Sequence, residues 1–142
     1  MPTKDDQLAS IRNNGFVMER FLYDHGAPTD YDVPALVWIE KYLLHTRDRL
    51  QPDDIDLFVA MAGAFLGQCI CKNYGGAWLK ADGAWGVAID INGEILLANT
   101  FAKVSRLIEY GHEQSMVAFY MEIGVMLDMA YEHYTDAEEA PE

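Results

Sequence analysis

Residues 77–98 read AWLKADGAWGVAIDINGEILLA, and this stretch decides the fold. Three runs with period-two character, 77–81, 84–91 and 94–98, are joined by Asp82-Gly83 and Asn92-Gly93. Asp-Gly and Asn-Gly are the strongest short hairpin signals, because a type I′ turn needs positive φ at both central residues. Two in succession predict a three-stranded antiparallel meander. Two-residue loops also fix the register. They place Trp78, Trp85, Val87, Ile89 and Leu96 on one face and Leu79, Gly86, Ala88, Ile95 and Leu97 on the other. Both faces are apolar, which predicts helices covering both.

On either side of the meander the period changes to that of a helix. Upstream, residues 53–74 begin with Asp53, Asp54 and Asp56, acids placed where a helix dipole favours them. Ile55, Phe58, Met61, Ala62, Phe65, Leu66, Cys69 and Ile70 follow at helical spacing, and Gly63 and Gly67 share a face open to a close neighbour. Tyr74-Gly75-Gly76 ends the helix, since glycine accepts the left-handed C-terminal conformation. Before it, Asp32 is a candidate N-cap with Pro34 in the first turn, for a helix reaching about Arg49. Thr3 to Tyr23 also reads as a helix, with Asn13-Asn14-Gly15 a point where it bends or begins. The loop from Asp24 to Asp32 carries Gly26, Pro28 and several acids. Downstream, Thr100 is read as capping a short helix that ends near Gly111. Ser115 is read as capping a last helix to about Tyr134. The expected architecture is α+β: three N-terminal helices, a three-stranded antiparallel β-meander at about 77–98, and two C-terminal helices. Residues 1–134 form one domain on this reading, and 135–142 an acidic disordered tail.

The chain has 142 residues, enough for one domain with a real core. Ten Lys and Arg stand against 23 Asp and Glu, for a net charge of −13. Direct nucleic-acid binding rests on cations placed on phosphates, so this balance argues against it, and equally against docking on an anionic membrane. The apolar runs are broken by polar residues before 18, and the N-terminus lacks the basic start of a signal peptide. Cys69 and Cys71 are too close in sequence for a secreted staple and too few for a structural zinc site. They read as reduced thiols in a cytoplasmic protein.

No constellation carries a catalytic signature. The four histidines lack a metal-binding spacing, Asp30-Tyr31-Asp32 lacks the rest of a calcium loop, and no serine sits in a nucleophile elbow. We expect no metal, no cofactor and no enzymatic activity. Met116, Met121, Met126 and Met129 in the last helix read as core, with an adaptable binding face as the other reading. Lys80, Lys103 and Arg106, with Trp78, are the candidates for an anion or pocket site between sheet and helices.

Gly63-Ala64-Phe65-Leu66-Gly67-Gln68, Asn73-Tyr74-Gly75-Gly76-Ala77-Trp78, Phe101-Ala102-Lys103-Val104, and Gly111 with Ser115 to Phe119-Tyr120 form a set of motifs. Over roughly residues 35–122 this set resembles a group of small bacterial domains of unknown function with a Gly-x-x-x-Gly helix and a Gly-Gly-x-Trp strand entry. Those domains usually carry Glu in place of Gln68 and often Pro in place of Thr100. Small acidic domains of this type often serve as immunity partners of bacterial toxins, and the resemblance implies that role here. The expectation is a cytoplasmic immunity protein or inhibitor that neutralises a basic protein partner, a toxin or enzyme, by occlusion. Its contact residues would be Asp24, Asp30, Tyr31 and Asp32 in the first loop, and Asp53, Asp54 and Asp56 at the next helix start. Two alternatives stand beside it: a small-molecule module or minor enzyme with a pocket between sheet and helices, and a phage-type nucleic-acid mimic that blocks a host defence protein. The sheet edges leave a dimer open.

Overall fold

The computed structural model describes the backbone of residues 1–139 and the side chains of residues 1–132. In chain order the elements are α1 (Lys4–Asp24), α2 (Val33–Thr46), a 3-10 turn (Arg47–Arg49), α3 (Pro52–Tyr74), β1 (Ala77–Ala81), β2 (Ala84–Ile91), β3 (Glu94–Ala98), α4 (Thr100–Tyr110), a second 3-10 turn (His112–Gln114) and α5 (Met116–Glu139). The architecture is α+β, with three helices, an antiparallel sheet of order β1-β2-β3, and two further helices.

Asp82, Gly83, Asn92 and Gly93 all take positive φ, as the two tight turns require. Trp78 pairs with Val87, Lys80 with Trp85, and Ile89 with Leu96, so the register follows from the turns. The Val87 and Ile89 face is buried. The other face is not covered as the sequence suggested: Leu79, Ile95 and Leu97 are exposed, Ile95 to 64%. The connections are the reason. Gly75-Gly76 and the single residue Asn99 are too short to carry α3 or α4 around to the far side of the sheet.

α3 is the central helix. Met61 to Gly67, Cys69 and Ile70 are buried along it. It is long and apolar enough to cross a membrane, yet half of its most apolar window is buried against its neighbours in the fold. A β-carbon at Gly63 would collide with the ring of Phe101, and one at Gly67 with the ring of Trp78. The two glycines are notches that seat α4 and β1. Gly15 of α1 lies against Ala64 and the Gln68 side chain, with room for ordinary van der Waals contact. α1 is a single helix through Asn13-Asn14-Gly15. Each buried Leu, Ile or Phe in such a core contributes about 1.5–3 kcal/mol.

The helix ends show local rules and one tertiary override. Thr3 and Asp6 form a capping box on α1, as do Gln51 and Asp54 on α3, and Gly75 closes α3 in the left-handed conformation. Thr100 is not the cap of α4. Asn99 accepts the Ala102 amide at 3.1 Å instead, which leaves Thr100 in the first helical turn, buried and with its hydroxyl unpartnered. Ser115 does cap α5, accepting from the Ala118 amide at 3.0 Å. Glu40 of α2 joins it: its carboxylate accepts from the Ser115 hydroxyl at 2.9 Å, the Met116 amide at 2.6 Å and the Val117 amide at 3.2 Å. α5 runs on to Glu139, beyond the end near Tyr134 expected from the sequence. The last residues of the expected tail, 140–142, lie outside the described residues.

Candidate functional site

α1 and α3 run antiparallel: Gly15 lies against Ala64 and Gln68, and Phe21 packs on Phe58 with ring centroids 5.6 Å apart. The C-terminal end of α1, with Asp24, therefore lies at the same end of the molecule as Asp53, Asp54 and Asp56. Asp24 is held by Arg20 at 3.0 Å, and Asp54 accepts the Gln51 amide at 3.2 Å in its capping box. Asp53 and Asp56 are exposed and have no cation within ion-pair distance among the described residues. The aromatic ring system at this end is one the sequence did not single out. Trp38 and Tyr42 stack with centroids 5.3 Å apart, and Phe21, His25 and Phe58 pack around them.

Asp30, Tyr31 and Asp32 lie elsewhere, because the loop doubles back along α1. The Tyr31 ring stacks on Phe65 at 4.3 Å, and its hydroxyl donates to Glu19 at 3.0 Å. Burial first, and then the hydrogen bond to Glu19, push its pKa well above the ordinary value. Tyr31 is therefore a packed structural ring and not a free aromatic anchor. The Asn73 amide donates to the Tyr31 carbonyl at 2.7 Å and to the Tyr120 hydroxyl at 2.9 Å. Tyr120 in turn donates to Asp32 at 3.3 Å, and Asp32 also caps α2 through the Val33 amide at 2.8 Å. Tyr120 stacks on Tyr74 at 4.7 Å, and burial raises the pKa of both. The seven residues expected to meet a partner thus fall into two groups, one at the start of α3 and one beside Phe65 and Asn73 further along it, and the structure does not join them in one patch.

Trp78 is packed between the sheet and α3. The Trp78 ring occupies the Gly67 notch beside Phe101, and its indole N–H donates to Gln68 at 2.8 Å. Lys80 donates to Gln7 at 2.9 Å, and the same oxygen accepts from Trp85. Lys103 donates to Gln114 at 3.2 Å, whereas Arg106 is exposed. These four residues do not converge. An opening of about 390 Å³ at the sheet margin is lined by Arg12, Gln68, Cys71 and Trp78 among others.

α5 carries the feature that the sequence reading assigned to the core. Met116, Tyr120 and Ile123 are buried, but Met121, Val125, Met126 and Met129 are exposed, Met129 to 63%. Beside them a groove of about 430 Å³ is lined by Asn73, Tyr74, Met121, Gly124, Val125, Leu127 and Asp128. Tyr74 stacks on Tyr120, whose hydroxyl donates to Asp32, so Asp32 of the first loop lies near this groove. One signal in the sequence pointed here. Residues 116–134 are apolar on more positions than one buried helix stripe needs, and they contain no Lys or Arg.

No protein-family model matches this chain, and neither a curated protein nor a solved structure shows significant similarity to it.

Proposed function

We propose that this chain is a small acidic interaction protein, an immunity protein or inhibitor of the bacterial cytoplasm that neutralises a basic protein partner by covering its active surface. The observation that carries the reading is an uncompensated acidic surface. Among the described residues only two ion pairs join a cation to an acid, Arg20–Asp24 and Arg47–Asp48. Several of the few cations face neutral acceptors instead: Lys80 bonds Gln7, Lys103 bonds Gln114, and Arg49 donates to the carbonyl of His45. Asp30, Asp53 and Asp56 are left free on the surface of a chain with net charge −13. Such a potential steers a cationic partner and raises the rate of encounter, by about 10–10³-fold at low salt. The resemblance of the Gly-x-x-x-Gly and Gly-Gly-x-Trp segments to small bacterial domains of unknown function, a type often found as immunity partners, is consistent with the same reading.

The test is affinity capture from the source cell at low and moderate salt, comparing the wild-type chain with a D30K/D53K/D56K variant. All three sites are exposed, so the variant is expected to keep the fold at a helix-dipole cost of about 0.3–1 kcal/mol per charge at the start of α3, checked by its thermal melt. A stoichiometric basic protein held by the wild type and released by the variant supports the proposal. Capture of no basic protein refutes it, and equal capture by both chains refutes the assignment of these three acids to the contact. A steep loss of capture with salt favours a nucleic-acid mimic over a packed toxin interface.

A further inference from the structure

We infer that the exposed side of α5 is where the partner docks, and that the docking element is a basic amphipathic helix. The inference rests on the reading above and names the surface and the partner chemistry. Met121, Val125 and Met129 recur every four residues, so they form one stripe along the helix, turned away from Met116, Tyr120 and Ile123 in the core. Met126 widens the stripe, and the groove beside it deepens toward Tyr74 and Leu127. Methionine is flexible and polarizable, which suits a surface that adapts to an incoming apolar ridge. Exposed apolar faces of this kind mark interaction sites more than they mark ordinary surface.

The charges around the stripe choose the occupant. Glu122, Asp128 and Glu132 are all exposed along it, and Asp32 accepts from Tyr120, whose ring stacks on Tyr74 at the groove. No Lys or Arg occurs anywhere in α5. A second copy of this chain would bring the same carboxylates against themselves. A helix with leucine-like anchors at i, i+3, i+4 and i+7 and lysines on its flanks would seat the anchors on the methionines and the lysines against the acids. The helix-in-groove mode needs no open sheet edge, and it leaves the partner's cationic surface covered.

The experiment is fluorescence anisotropy at about 0.15 M ionic strength. The probe is a labelled Lys/Leu peptide of about 18 residues with leucines at helical spacing, compared with an isomer of the same composition whose leucines are dispersed. The wild-type chain is expected to bind the amphipathic peptide at least about tenfold more tightly than the isomer. M121Q/V125Q/M129Q is expected to abolish that preference with an unchanged thermal melt, since all three side chains are exposed. E122K/D128K is expected to weaken both peptides. Equal binding of the two isomers, or an unchanged preference in the triple variant, overturns the inference. So does a wild-type dimer in sedimentation equilibrium that the triple variant dissociates, because the occupant is then a second copy. The two proposals fail separately. If a captured basic partner holds the triple variant as tightly as the wild type, the docking surface is wrong and the inhibitor reading stands. If no basic partner is captured, the inhibitor reading falls.

Discussion

Glu40 of α2 holds the start of α5 across a packed helix contact, and its removal is the sharpest test of how the candidate surface is positioned. Its carboxylate accepts the amides of Met116 and Val117 and the hydroxyl of Ser115. Hydrogen bonds to a charged group contribute about 1.5–3 kcal/mol each, net of exchange with water. The site is half-buried, so water recovers part of that in the variant. A carboxylate at a helix N-terminus adds about 0.3–1 kcal/mol, and up to ~2 in a partly buried setting. Together these set the cost of Glu40→Ala at about 3 kcal/mol, which for a domain of this size is roughly 10 °C in Tm. Glu40→Gln keeps the shape and one acceptor but loses the charge, so its cost is about 1–1.5 kcal/mol. Urea denaturation of the three chains measures both values. Amide exchange at Met116 and Val117 should accelerate in Glu40→Ala more than at any core position of α3. A Glu40→Ala chain within about 0.5 kcal/mol of wild type refutes the reasoning, as does a Glu40→Gln chain that is no more stable than Glu40→Ala.

Gly67→Ala places a methyl group in the Trp78 ring, and the overpacking, about 1–3 kcal/mol, outweighs the helix-propensity gain of about 1. A shift in tryptophan emission as the Trp78–Gln68 bond breaks should accompany the loss, and unchanged stability and emission would count against the notch. Thr100→Val removes a buried hydroxyl that has no partner, and should raise stability by about 1 kcal/mol in chemical denaturation. The buried phenols and thiols make the fold sensitive to base. The pKa values of Tyr31, Tyr74, Tyr120, Cys69 and Cys71 are all raised, chiefly by burial, above ordinary values of 10.0 and 9.0. A raised folded pKa means the unfolded chain loses its proton first, so stability is whole below about pH 9 and falls as pH rises beyond it. A urea midpoint that stays flat from about pH 8 to 11 would contradict the burial of these groups.

The meander was legible because its information is local. Asp82-Gly83 and Asn92-Gly93 need positive φ wherever they stand, and the side-chain period of two then fixes every strand neighbour. The same holds for Gly75 after α3 and for the Asp32 and Ser115 caps. What the chain could not show by itself were choices between faces and between partners in space. Period and composition mark Leu79, Ile95, Leu97 and the α5 methionines as apolar, but only short connections and a shortage of covering helices leave them exposed. Asp24 and Asp30 are six residues apart in the same loop, yet the loop turns back along α1 and carries Asp30 to Asp32 toward Asn73, Tyr74 and Tyr120. Tyr31 reads as a surface anchor until Phe65 stacks on it. Glu40 looks like any solvated acid of a helix until α5 begins above it. Backbone geometry and charge are properties of a segment, and the sequence determines them. Which side of a helix meets water is a property of the whole packing, and only the tertiary structure decides it.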